Sequence, residues 1–501
     1  MTIIVLFKLL FQFFLINIIN LLRMNEKRTP SLIESFLPII FLVILLSINV
    51  SIFGNDALSG SIQIVLILSS SIAAIIAFNL GYKWIEIQKG IQKSINSAIP
   101  SILILFLVGS LAGSWLLSGI VPALIYYGIQ ILNAKIFLFA ACIICIIVSM
   151  ATGSSWTTSA TIGIALIGIG KALNIPEGLI AGSILSGAYF GDKMSPLSDT
   201  TNLAPAMAGS DLFTHIRYLS ITTLPSIIIS LFIFIIMGMS ISTDANIDNA
   251  SLISNSILDK FYISPILFLV PIIVIILIYK KIKAVPALFV GVILGSVFAL
   301  IFQKDLVIEV SGNNSGDWTS LFIGIMKSLY GSISISTSND LVSDLLSSSG
   351  MYGMLGTIWL VISAMIFGGI MDKAGFLNVI SSLILKKVNS VGSLVTSTAG
   401  TCIFFNLTAS DQYLSIVVPG KMYSSIYKEK GLSPENLSRT LEDSGTVTSV
   451  LIPWNTCGAT QSAVLGVATL SYLPYCFFNL ISPIMTIIYA YLGIKIKKLR
   501  E

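Results

Sequence analysis

Gly191-Asp192-Lys193-Met194-Ser195-Pro196-Leu197-Ser198-Asp199-Thr200-Thr201-Asn202 is a polar, proline-interrupted run set between apolar segments. It decides the reading of the chain because its surroundings are more apolar than a water-soluble fold allows. Of 501 residues, 55% are hydrophobic and only 10% are charged, whereas a soluble domain carries about a quarter charged residues. With a mean hydropathy of +0.95, the chain lacks the charge to coat a water-exposed surface. Much of that surface must face lipid.

The apolar residues come in long blocks, and a helix needs about 20 of them to cross the hydrocarbon layer. Clear candidates are 35–53, 61–80, 101–120, 135–151, 217–239, 262–279, 284–302, 353–371 and 476–494. With the shorter, Gly-broken segments between them, the pattern predicts about 11 to 13 membrane helices or half-helices. Barrel strands would instead show short alternating segments. The fold class is therefore an all-α polytopic membrane protein.

The net charge of +5 is no nucleic-acid signal, because the basic residues sit in short loops where they set orientation. Lys83, Lys89 and Lys93 follow one span, Lys280, Lys281 and Lys283 separate two others, and Lys495, Lys497, Lys498 and Arg500 end the chain. The opposing loops carry Asp56, Asp244, Asp248, Asp305, Glu309 and Asp317. One alternation satisfies all of these, in a cytoplasmic (inner) membrane with the C-terminus cytoplasmic. The five cysteines lie in apolar surroundings, so packing is expected of them rather than disulfides or metal binding. Residues 1–30 read as an N-terminal extension or extra apolar helix, and Met24 offers an alternative start.

Polar stretches 242–260, 303–318 and 333–349 read as loops, and 81–96 as an interfacial amphipathic helix. The remaining chain divides into a first half, 31–241, and a second half, 261–501, each holding two broken polar stretches. In the first half these are 152–158 (Thr-Gly-Ser-Ser-Trp-Thr-Thr) and 191–202; in the second they are 406–411 (Asn-Leu-Thr-Ala-Ser-Asp) and 453–458 (Pro-Trp-Asn-Thr-Cys-Gly). Interrupted apolar segments at corresponding positions of two halves point to a transporter site. Gly and Pro break the helical ladder, which lipid tolerates only where the freed groups line a wet cavity or coordinate an ion. The flanking Ser, Thr, Asn and Asp offer hard oxygen ligands suited to a small hard cation.

Asp192 and Asp199 lead the candidates, since an intramembrane carboxylate is costly and by default functional. Around them stand Ser154, Ser155, Thr157, Thr200, Thr201 and Asn202, and in the second half Asn406, Thr408, Asp411, Asn455 and Thr456. A carboxylate holds a proton or helps coordinate a cation, but not both at full strength, so one lodged in the membrane can trade one for the other. Blander readings compete: Asp192 paired with Lys193, Asp411 as a helix cap, Glu442 and Asp443 interfacial or paired with Arg439, and His215 at the membrane interface beside Arg217 and Tyr218. Gly109/Gly113 and Gly187/Gly191 read as small-residue pairs permitting close helix packing.

The run from Gly187 to Gly209 resembles the signature of the NhaC family of sodium/proton antiporters, as do 151–161 and 451–459. The similarity extends from about residue 30 to the C-terminus. It implies Na+/H+ antiport and a fold of two inverted repeats, each supplying a re-entrant hairpin (tips at 152–158 and 406–411) and a discontinuous helix (191–202 and 453–458). It also implies Na+ bound by the residues named above, no cofactor, and homodimerisation. The family includes exchangers of organic anions such as malate or lactate; no Arg lies in the four breaks to clamp a carboxylate, while Lys193 keeps that reading open. From another class, an intramembrane aspartyl protease would pair Asp192 with Asp443, but Asp192 follows Tyr-Phe-Gly rather than the Gly-x-Gly such proteases use.

Overall fold

In lipid, every backbone N–H and C=O must find its partner within its own segment, and the apolar runs accordingly form helices. The computed structural model describes residues 27–53, 60–131, 133–241, 246–280, 282–313, 316–337, 343, 346–385 and 389–499. The N-terminal apolar stretch, Met24, Asp56 and Asp244 lie outside the described residues.

The first half runs α1 (Leu32–Phe53), α2 (Ser61–Asn79), α3 (Trp84–Leu117), α4 (Ile120–Ile131), α5 (Ala134–Thr152), α6 (Ser155–Thr158), a π turn (Ser159–Gly163), α7 (Ile164–Ala172), α8 (Glu177–Met194), α9 (Asp199–Ala208) and α10 (Leu212–Met239). Next come α11 (Asn246–Lys260), α12 (Leu269–Tyr279), α13 (Ala284–Phe302), α14 (Lys304–Ser311) and α15 (Trp318–Tyr330), and a two-stranded hairpin of β1 (Ile333–Ser334) and β2 (Ser347–Ser348). The chain ends with α16 (Gly350–Gly353), α17 (Leu355–Lys373), α18 (Phe376–Leu385), α19 (Val391–Thr408), α20 (Gln412–Glu429), α21 (Pro434–Leu441), a second π turn (Glu442–Thr446), α22 (Thr456–Leu465), α23 (Thr469–Tyr472) and α24 (Phe477–Tyr491).

Among the described residues, eight helices are long and apolar enough to cross a membrane, or ten if two bent pairs each count as one span. Those pairs bend by 87° before Pro265 and by 55° before Phe477, close to where the expected spans 262–279 and 476–494 begin. The amphipathic segment 81–96 is not a separate helix but the start of α3, which continues through Pro100. The polar segments 242–260, 303–318 and 333–349 also hold structure: α11, α14 and the small hairpin.

Ile33, Ile228, Phe232 and Met239 stand exposed, as lipid-facing side chains do. At the other extreme, every residue of α8 from Leu179 to Lys193 is buried. Its small residues explain how: a Cβ on Gly187 would stand 2.2 Å from the Cys142 carbonyl oxygen, and one on Gly191 2.6 Å from that of Ile146. The Gly187/Gly191 pair thus brings α8 against α5, as small-residue pairs do in membranes. All five cysteines are free and buried.

Backbone landmarks recur at one interval. The helix-capping residues Asn133 and Ser390, Ser154 and Asp411, Pro176 and Ser433, and Ser198 and Asn455 are each 257 positions apart (455 − 198 = 257). The left-handed residues Gly153 and Ser410, and Gly209 and Gly466, keep the same interval. The segment 133–209 is thus built twice.

Candidate ion-exchange site

Gly153 reverses the chain with φ +68°, a conformation that glycine alone adopts without penalty. Ser154 then caps α6, its Oγ accepting the Thr157 amide at 3.2 Å and lying 3.1 Å from the Thr157 hydroxyl. One residue later, the Ser155 amide (3.0 Å) and hydroxyl (2.7 Å) both donate to Asp192 Oδ2. Asp192 sits in the last turn of α8, immediately before the break. That break exists because Pro196 lacks an N–H and holds Ser195 extended (φ −89°, ψ 129°). Ser198 caps α9, and Asp199 is its first residue, where the helix dipole favours negative charge. The Thr201 hydroxyl donates to the carbonyls of Asp192 (3.3 Å) and Lys193 (3.1 Å), and the Asn202 amide to those of Pro196 (2.9 Å) and Ser198 (2.7 Å). Thr201 and Asn202 therefore pin the break. The hairpin turn abuts it: a Cβ on Gly153 would stand 2.6 Å from Leu197 Cβ.

The second half repeats this knot with one carboxylate, Asp411, at the hairpin turn and neutral groups at the break. Ser410 takes the left-handed conformation (φ +58°). Asp411, buried, caps α20 by accepting the Leu414 amide at 2.8 Å and is touched by the Ser97 hydroxyl at 3.4 Å. The Asn455 amide donates to the Asn406 backbone and side-chain oxygens, both at 3.1 Å, while Asn406 donates to the Gly445 carbonyl (2.7 Å) and Thr448 Oγ1 (3.0 Å). The Thr456 amide bonds the Ser410 carbonyl at 3.0 Å, and Trp454 Nε1 that of Leu407 at 2.8 Å. Thr408 spends its hydroxyl on Phe404 within its own helix.

A cavity of about 690 Å³ opens on the first knot, lined by Thr152, Ser154, Trp156, Thr157, Asp192, Asp199 and Thr200. The second half contributes Gln412 and Tyr413, next to Asp411, and among the described residues the one basic side chain on the wall is Lys283. The structure thus gathers Ser154, Thr157, Asp192, Asp199 and Thr200 around one space, where Asp199 is exposed and Asp192 is buried, while Ser155, Thr201 and Asn202 do not line it. It leaves Asn406, Thr408, Asn455 and Thr456 in a knot of their own. Carboxylate, hydroxyl and carbonyl oxygens are the donor set that small hard cations prefer.

Lys193 does not pair with Asp192. Its ammonium, fully buried, points away from the cavity to Asp443, also fully buried, and donates to Ser482 Oγ at 3.0 Å. Asp443 further accepts from Ser482 (2.9 Å) and Thr222 (2.8 Å). The pair ties the first-half break to the second π turn. Glu442 and Asp443 are thus buried within the protein, and neither pairs with Arg439, itself fully buried. His215 is interior too, its Nδ1 2.7 Å from the Ser438 hydroxyl. A protease dyad of Asp192 and Asp443 is not formed, since each carboxylate has other partners. Sequence reasoning missed the Lys193–Asp443 pair; the signal was a lysine inside an apolar helix, which needs a buried partner.

The Na+/H+ antiporter family profile matches residues 187–494, from the small-residue pair of α8 through α24. The Na+/H+ antiporter NhaC of Alkalihalophilus pseudofirmus is 36% identical over 460 residues, 91% of this chain and 96% of that protein. The malate-2H+/Na+-lactate antiporter of Bacillus subtilis is 35% identical over 473 residues, 94% of this chain and 96% of that one. The arginine/ornithine antiporter ArcD of Halobacterium salinarum is 36% identical over 474 residues, 94% and 93% of the two chains. With a profile covering more than half its length and relatives at this identity aligned nearly end to end, the chain belongs to the Na+/H+ antiporter family.

Proposed function

We propose that the chain exchanges Na+ for H+ across the cytoplasmic membrane, with Asp192 and Asp199 as the carboxylates at which the two ions replace one another. The observation that carries this reading is the hairpin turn holding Asp192 through Ser155 at a helix break, with Asp199 opening onto the same oxygen-lined cavity. A sodium ion there is met by carboxylate and hydroxyl oxygens. Once the ion has left, uncompensated charge away from water is costly, so a proton takes its place. Exchange is obligatory if the site faces each side of the membrane in turn.

In this reading α5–α6 and α19–α20 are re-entrant hairpins, and 31–241 and 261–501 are inverted halves joined by 242–260. The C-terminus is cytoplasmic, and two copies associate as a dimer. One observation favours a second reading, exchange of a small organic ion: the cavity's 690 Å³ falls within the roughly 300–1,000 Å³ of small-molecule pockets, and two relatives are named for organic substrates. Proteoliposomes decide between them. A sodium gradient imposed without organic solute is expected to move the internal pH, and Asp199→Asn to abolish that movement while the protein remains inserted. Undiminished exchange by a correctly folded Asp199→Asn variant rejects the assignment.

A further inference from the structure

Glu442 opens the second π turn and is fully buried, with no donor beside its carboxyl beyond the Thr446 hydroxyl. A charged carboxylate cannot stay so placed, because desolvation without compensating donors is too costly. In this conformation it is the neutral acid. The same five-residue turn holds another fully buried, unpartnered polar atom, Ser444 Oγ. Single π turns are rare and occur mostly at functional sites.

The counter-charge for the ionised acid is already in place. Arg439 lies three residues earlier, on the same helix face. Its guanidinium is fully buried, has no hydrogen-bond partner, and rests over the Tyr218 ring at 4.7 Å. Residues three apart on a helix are neighbours, so rearrangement of the two side chains can bring Glu442 and Arg439 together. The other charged groups around them have commitments elsewhere. Lys193 and Asp443 are paired with each other, Asp192 is held by Ser155, and Glu435 by Lys497. His215 reaches Ser438 through Nδ1.

We propose that Glu442 is a second proton-carrying carboxylate, adding one transported proton per cycle to those exchanged at the cation site. It holds its proton in the dry conformation. It releases the proton to water when the turn opens, and Arg439 then meets the carboxylate. This inference rests on the antiport reading but is tested apart from it, because removing Glu442 leaves Asp192 and Asp199 intact.

The experiment measures the sodium gradient that balances a fixed pH gradient and membrane potential in proteoliposomes, which gives protons moved per sodium. Glu442→Gln is expected to exchange sodium with one proton fewer than the unaltered protein, and with a correspondingly altered voltage dependence. An unchanged ratio in active Glu442→Gln overturns the proposal. If Glu442→Gln fails to fold, infrared spectroscopy of the unaltered protein decides. A protonated-carboxyl band that vanishes at alkaline pH, and shifts in Glu442→Asp, supports the role; a band that does neither overturns it. Should the unaltered protein show no sodium-driven proton movement, it is the antiport reading that fails.

Discussion

Lys193 and Asp443 lend themselves to a double-mutant cycle because both side chains are fully buried and each is the other's counter-ion. Lys193→Met leaves Asp443 charged with only the hydroxyls of Ser482 and Thr222 to serve it; Asp443→Leu leaves the ammonium with Ser482 and the Phe478 ring, 5.5 Å away. Stranding one member of a buried pair costs about 3–5 kcal/mol, whereas replacing both with apolar groups is often neutral or better. The double variant still orphans the Ser482 hydroxyl, at about 1 kcal/mol. Each single variant should therefore lose about 3–5 kcal/mol and the double variant about 1, a coupling energy of several kcal/mol. Reversible denaturant unfolding in detergent micelles measures it. If the two losses simply add, leaving a coupling below about 0.5 kcal/mol, the pair does not hold the two halves as described.

Two further outcomes follow from the first-half knot. Ser155→Ala removes the hydroxyl on Asp192 and keeps the amide; a charge-assisted bond of about 1.5–3 kcal/mol translates into an apparent sodium affinity lower by roughly tenfold or more, read from sodium-dependent fluorescence in vesicles. Gly153→Ala and Gly209→Ala both force a left-handed alanine, at about 1–2 kcal/mol. Only the first also drives a Cβ into Leu197, since nothing lies within 4 Å of the second, so Gly153→Ala alone should lower the exchange rate in a side-by-side transport assay.

Continuous apolar runs were legible to within a few residues. The segment 284–302 is α13, 61–80 is α2 and 135–151 is α5, because desolvation of the backbone leaves a helix as the one economical solution there. The breaks were legible as well, since Pro196 and Gly153 each remove a helical option. What a linear reading could not supply was enclosure. Leu179–Lys193 is rich in Gly, Ala and Ser and looks too polar to span a membrane, yet every one of its residues is buried, because small side chains admit neighbours on every face. Pairing was equally hidden. Lys193 and Asp443 are 250 residues apart, and Asp443 has a nearer candidate partner in the sequence, Arg439. The burial of His215 was hidden too, since the C-terminal segment that packs over its neighbour Tyr218, whose hydroxyl donates to the Lys495 carbonyl, is distant in sequence. The internal repeat showed only as similar spacing of polar runs, because the two copies share caps and turn conformations but not charge.

The length of α3 has a mechanical consequence. Its 34 residues make a rod of about 50 Å, against a hydrocarbon layer of about 30 Å. Even at a steep tilt of about 40°, roughly 38 Å of that rod lies along the membrane normal. Its first turns, with Glu86, Lys89 and Lys93, must stand among the lipid head groups. There Lys93 reaches Asp372 at 3.8 Å, and Gly90 lets α17 approach closely. Further along, Ser97, Pro100 and Leu103 form part of the cavity wall. One stiff element thus joins the head-group layer to the chamber that holds the carboxylates. Bilayer thickness and head-group charge press directly on the shape of that chamber, which makes lipid composition a determinant of turnover rather than a passive background.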